Sequence, residues 1–478
     1  MTAQAVILTI LGYLALMFTI SYLSAGGGDN NSFFRAGRQS NWLVVAFAMI
    51  GSVMSGVTFV SVPGWVGTSG MGYLQMCIGF IAGYIVIAYV LVPIYFKLGV
   101  VSVYQYLDAR FGALSYKTGA WFFFISKMLG AAVRLFVVCI SLQILIFAPL
   151  GLPFSLNVLT SILIVFAYTV KGGVKSLIWT DILRTLCMIS AVVLTIVLIA
   201  ESMDINIITA IKESPMSRVF YFDNPLDGRY FWKQFLGGLF TVVAMTGLDQ
   251  DMMQRTLSCK NYKDSQKNLL TSVFLQVAVI FLFLCLGVLL YMFAGANGIS
   301  AGGDSLFPAV ATGGKLPAIV GVLFLLGLVA SAYGAGGSAL TSLTTSFTVD
   351  IIGIKGRSEK DISRIRHRVH IIIAALMGLT IIAFNALNST SAIDAVYRIA
   401  SYTYGPLLGM FCFGIATKKK VHDKWVPAVA ILAPVLCFVL DANSKKWFGG
   451  YSFSYELLIF NAAFTIAGLC LLIKRGEN

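Results

Sequence analysis

The chain has 478 residues, 58% of them hydrophobic and 11% charged, with a mean hydropathy of +0.87. Folded in water, that composition would expose far too much apolar surface, which excludes a soluble protein and leaves a polytopic membrane protein. The net charge of +14 would point to nucleic acid only if the basic residues clustered on a domain; they fall in short loops on one side, so no nucleic-acid partner is expected.

A membrane-crossing helix takes about 20 apolar residues. Thirteen such runs follow one another, at about 4–24, 43–65, 71–96, 119–147, 154–170, 179–201, 233–252, 268–293, 317–349, 369–387, 392–416, 425–441 and 455–473. The first run lacks a basic leader and is expected to be a span rather than a cleavable signal. The second holds the stretch around which the chain is organised. Gly51, Ser52, Ser55, Gly56 and Thr58 crowd its centre, and Pro63-Gly64 is expected to close it. Unwound backbone at membrane depth must face protein or a cavity, and its freed carbonyls and amides can hold an ion and a solute. Close helix packing would use the same small residues. A second stretch, 235–253, repeats the pattern with paired glycines, Gly247 and a polar end, and two interrupted segments point to a transporter's binding site.

Ionisable residues inside spans are costly and mark function. Arg134 lies deep in 119–147 and calls for an anion: a solute carboxylate held in bidentate fashion, or an acid elsewhere in the fold. Lys127 lies two turns nearer the inward end and is expected to snorkel. Asp181 and Arg184, three residues apart, share one face of 179–201 and read either as a local ion pair or as a cation site with its own counter-charge. The span 317–349 carries Ser331, Ser338, Thr341 and Ser342 among Gly334, Gly336 and Gly337, which suits a hard cation or a tight helix crossing. In 392–416, Arg398 can pair with Asp394 four residues earlier, and Pro406 marks a kink or a gate. The stretch 350–368 is read as a basic, lipid-facing surface.

Eight cysteines lie singly, without CxxC spacing, and His367 and His370 have no third ligand nearby, so no transition metal is expected. No paired catalytic carboxylates, HExxH or Ser/His constellation is expected within the spans, which argues against an enzyme. Lysine and arginine alternate strongly between loops: twenty-three of the 34, Arg255 among them, fall on one side and seven on the other. The positive-inside rule then sets the N-terminus outside and the C-terminus in the cytoplasm.

Six motifs in order resemble the sodium/solute symporter family across essentially the whole chain: FFRAGR, SVYQYLDARF, KGGVKSLIWTD, DQDMMQR, LTSLTTSFTVD and YGPLLGMFCFGI. The resemblance implies an all-α LeuT-type fold in one transmembrane domain, with a leading helix at 4–24, inverted five-helix repeats at 43–201 and 233–416, and two trailing helices over 425–473. It implies sodium as coupling ion, held by the carbonyls of Gly51, Met54 and Ser331 with Asp181 and Ser338. The usual pair of hydroxyls falls on Gly334 and Ala335 and is missing, and Arg184 stands where a glutamine is common. Solute contacts fall on Ser55, Thr58, Cys77 and Arg134. Two consequences stay open: sodium symport through Asp181, Ser338 and rearranged carbonyls, or weakened coupling in which Arg184 or Lys127 supplies the missing charge.

The sequence therefore reads as a carrier that imports a small organic anion, a carboxylate, through the plasma (inner) membrane by sodium symport and alternating access. The alternatives are a sodium-independent or proton-coupled carrier of the same fold, or a membrane solute sensor with a separate output partner. No motif sets the oligomeric state.

Overall fold

The computed structural model describes residues 3–24, 40–100, 102–387 and 392–474, and these are helical with short connections. Among them, seven helices are long and apolar enough to cross a membrane, two further spans are bent pairs, and three are shorter apolar helices. The remaining predicted span is the helix Phe231–Val242, which continues as a π-helical turn over Val243–Gly247.

Three expectations are corrected. The link between 154–170 and 179–201 is itself helical, giving continuous helical backbone over Phe154–Met203; it contains two glycines but no proline to stop the hydrogen-bond ladder. The basic stretch is partly helix, Glu359–Leu387, because the Ser358 hydroxyl accepts from the Asp361 N–H (3.2 Å) and Glu359 and Asp361 supply acid to the first turn. Pro63-Gly64 does not end the second span, and the helix Gly56–Ser69 runs through both. FFRAGR lies outside the described residues.

Where the second span does break is between Trp42–Val53 and Gly56–Ser69, which meet at 63°. Met54 and Ser55 are extended and buried. The Ser55 N–H donates to Thr58 Oγ1 (3.3 Å) and not to the Gly51 carbonyl, its partner in an unbroken helix. Glycine at 51 is obligatory, since a Cβ there would lie 2.6 Å from Thr185 Oγ1 and closer still to the Asp181 carbonyl oxygen. The break is thus pressed against the turn carrying Asp181. Its other half is wedged by Phe59 against Phe283, Phe307 and Phe324, with ring centroids 5.3–5.9 Å apart.

The second break follows Val243–Gly247, where Leu248 and an extended Asp249 precede the helix Gln250–Thr256. Tyr95 OH donates to the Gly247 carbonyl (2.9 Å) and Tyr104 OH to the Leu248 carbonyl (2.8 Å), so two carbonyls at this break have partners. A third bend, of 45°, falls between Ala395–Thr403 and Gly405–Ala416, with Pro406 in the first turn of the second piece.

A candidate solute cavity and the ion-pair ladder beside it

The three bends converge on one central cavity of about 110 Å³. Ser55 and Thr58 line it from the first break, Thr246 and Asp249 from the second, and Tyr397 and Tyr404 from the third. Arg134 lines it from the helix Ala113–Leu142. Its guanidinium is half-buried and makes no hydrogen bond or ion pair among the described residues. Tyr73 and Tyr397 close one end through a hydroxyl–hydroxyl hydrogen bond of 2.7 Å. Tyr73 also lines a second cavity of about 160 Å³, with Trp65, Arg229 and Tyr455.

Cys77 is fully buried and does not line the cavity. Tyr73 and Phe80, one turn to either side and with rings 6.2 Å apart, form that wall, and a thiol is too short to reach past them. Phe59 sits in its aromatic cluster. The Tyr333 carbonyl accepts from Tyr168 OH, and its ring stays outside the cavity.

Lys127 does not snorkel. It is buried, and its Nζ lies 3.1 Å from Asp249 Oδ1 and 2.9 Å from Asp251 Oδ2. The second break causes this: Asp249 leaves the helix, caps the next one by accepting from the Asp251 and Met252 N–H groups, and turns both carboxylates inward. Tyr404 OH donates to Asp249 Oδ2 (2.7 Å). Arg255 is not a loop cation but fully buried, pairing through Nη1 with Asp251 and through Nη2 with Asp181 Oδ2 (3.0 Å), and donating from Nη2 to Ser338 Oγ (2.6 Å). Arg184 Nη2 faces Asp181 Oδ1 at 2.9 Å, and Ser52 Oγ donates to Asp181 Oδ2 (2.8 Å). One ladder therefore runs Arg184–Asp181–Arg255–Asp251–Lys127–Asp249 and ends in the cavity wall.

The structure gathers most of the cation-site candidates around Asp181. Gly51 abuts its backbone, Gly334 abuts Arg184, and Ser338 joins through Arg255. Ser331 is buried opposite Gly56, and its hydroxyl donates within its own helix to the Leu328 carbonyl (2.8 Å). Met54 caps the first half-helix at the break, and Ala335 is buried in its own helix. Arg398 lies apart: its side chain is 64% exposed and 3.5 Å from Asp441, while the side chain of Asp394 lies outside the described residues. His370 sits between the hydroxyls of Thr169 (3.0 Å) and Thr344 (2.8 Å).

Sequence reading missed Asp249, Asp251 and Arg255 as a buried cluster. The signal was present in DQDMMQR, where Asp251 and Arg255 stand four apart and can pair on one helix face.

Broken helices around a central cavity, with buried charge at the breaks, define a polytopic carrier of the LeuT fold class. The chain belongs to the sodium:solute symporter family, which it matches over residues 33–423. That family consists of transporters and not enzymes. Among curated relatives, the sodium/sialic acid symporter SiaT of Proteus mirabilis is 25% identical over 96% of this chain and 93% of its own length. The sodium/sialic acid symporter NanT of Aliivibrio fischeri is 24% identical over 92% and 88%. Human sodium-coupled monocarboxylate transporter 1 is 26% identical over 83% and 66%. The fold superposes on a solved Na⁺-coupled sialic acid symporter with a TM-score of 0.85 at 19% identity, covering 98% of this chain and 99% of that one.

Proposed function

We propose that the protein imports a small organic anion bearing a carboxylate, coupled to sodium, by alternating access. The observation that carries this reading is Arg134, a cavity guanidinium with no hydrogen-bond or ion-pair partner among the described residues. A planar guanidinium matches a carboxylate with two parallel N–H···O bonds. Ser55, Thr58 and Tyr404 add hydroxyls around it. Relatives whose names specify sialic acid or monocarboxylates support a carboxylate, and their names support sodium.

Sodium wants oxygen donors. The oxygens suited to it here are backbone carbonyls at Gly51 and Met54 beside the break, with Ser331 across from Gly56. The hydroxyls absent at Gly334 and Ala335 are not replaced by other side-chain oxygens at those positions. In this reading the corresponding breaks belong to two inverted repeats, 43–201 and 233–416. Rocking of these around the cavity opens it alternately to either side, and the Tyr73–Tyr397 contact closes the outer end. The membrane is the plasma (inner) membrane, with the N-terminus outside.

The test is thermal stabilisation of the purified chain by sugar acids, amino acids and monocarboxylates, each in Na⁺ or in choline at matched ionic strength. A carboxylate is expected to raise the melting temperature in Na⁺, its primary amide to do nothing, and Arg134→Gln to abolish the response. An amide as effective as the acid would overturn the anionic reading. Saturable counterflow of the same compound in liposomes separates a carrier from a sensor.

A further inference from the structure

The ladder holds three carboxylates and three cationic side chains, so it leaves no net negative charge for a metal ion to neutralise. At Asp181, Oδ2 is committed to Arg255 at 3.0 Å and accepts from Ser52 at 2.8 Å, while Oδ1 accepts no aligned hydrogen bond among the described residues and faces the Arg184 guanidinium at 2.9 Å. The hydroxyl of Ser338 is taken by Arg255 at 2.6 Å. Gly334 and Arg184 are two halves of one feature. A Cβ at 334 would lie 2.7 Å from both Cδ and Cζ of Arg184, and closer still to Nη1, so the missing side chain is what makes room for the guanidinium.

We propose that Arg184 is the resident cation of this locus: its guanidinium permanently holds the place beside Asp181 that a sodium ion would fill, and no sodium binds there during transport. A metal ion inserted beside Asp181 would meet two fixed positive charges at close range, where like charges repel strongly in a weakly polar interior. Arg184 is fully buried, and its Nε, Nη1 and Nη2 make no aligned hydrogen bond among the described residues. Unmet donors are costly, which fits a position set by the charge the site needs and not by local stability. Lys127 is excluded from this role because Asp249 and Asp251 hold it. The inference rests on the carrier reading above and confines any coupling sodium to the carbonyls at the first break.

The experiment is equilibrium binding of ²²Na⁺ to the purified full-length chain, with choline balancing ionic strength and gel filtration checking the fold. Wild type is expected to bind no more than one ion per chain. Arg184→Gln is expected to bind one more, at least tenfold tighter than any residual wild-type binding at that locus, and Arg184→Lys to keep the wild-type count. Two ions on wild type, or a folded Arg184→Gln with no added ion, overturns the proposal. Should Arg184→Gln not fold, Ser338→Ala decides. Sodium affinity within twofold of wild type supports the proposal, and a tenfold loss overturns it. A wild type that binds no ion while Arg184→Gln binds one would refute sodium coupling in the proposed function and still support the resident cation.

Discussion

Lys127 shows how much a buried charge depends on its partners. Its buried ammonium bridges Asp249 and Asp251 at 2.9–3.1 Å in the wall of the cavity. Removing one partner of such a cluster leaves an uncompensated charge, at about 3–5 kcal/mol. Lys127→Met is therefore expected to lower the melting temperature sharply, and Asp251→Asn added to it to recover part of the loss. The contrast is Arg398→Ala, which breaks an exposed contact with Asp441 of the kind that contributes at most about 1 kcal/mol. Equal shifts for Lys127→Met and Arg398→Ala in a thermal melt would refute the ranking.

Elements are held in their broken forms by groups from other elements. Tyr104 reaches across to the Leu248 carbonyl at the second break. Tyr104→Phe strips that carbonyl of its donor, with an expected cost of about 1–3 kcal/mol and faster amide exchange over 248–256. Exchange unchanged there would mean the tyrosine is dispensable. At the first break, Gly51→Ala forces a Cβ into Asp181 and Thr185 and should weaken sodium and solute binding together. Separate responses in a titration would uncouple the break from the Asp181 turn. The connection between Met203 and Phe231 gives a pH prediction. Arg229 hydrogen-bonds Asp227 through Nη2 (2.7 Å) and holds that carboxyl below its ordinary value. Arg229 also lies over the Tyr221 ring, and the Tyr221 N–H donates to Gln75 (3.0 Å). A depressed folded pKa means the contact is fully present above the ordinary carboxylate value of about 3.9 and is lost as pH falls through the lower folded value. Limited proteolysis between 218 and 230 should accelerate over that acid window and not at pH 5–8.

For the whole molecule, the decisive property is which side each end faces. On the proposed orientation Lys419 lies inside and Lys446 outside, and both are exposed. In a cysteine-free background, Lys446→Cys is expected to react with a membrane-impermeant maleimide on intact cells, and Lys419→Cys only after permeabilisation. The reverse pattern would invert the proposed direction of opening.

Sequence alone determined the class, the spans and the existence of the breaks. Apolar runs and clustered glycines and hydroxyls are local properties, and the bilayer allows few ways to satisfy a backbone inside it. It also exposed Arg134, Asp181 and Arg184 as charges needing a reason. Tertiary structure decided which charges meet. Asp249 and Asp251 lie more than a hundred residues from Lys127, and Arg255 is likewise remote from Asp181 and Ser338, so no spacing rule joins them. Arg255 counted as a loop cation until the bend at 243–249 carried its helix inward. Cys77 looked like a cavity residue until Tyr73 and Phe80 proved to reach farther. Periodicity reports the face a residue occupies on its own helix. Ion pairing and reach depend on what the other helices bring to that face, and only packing supplies that.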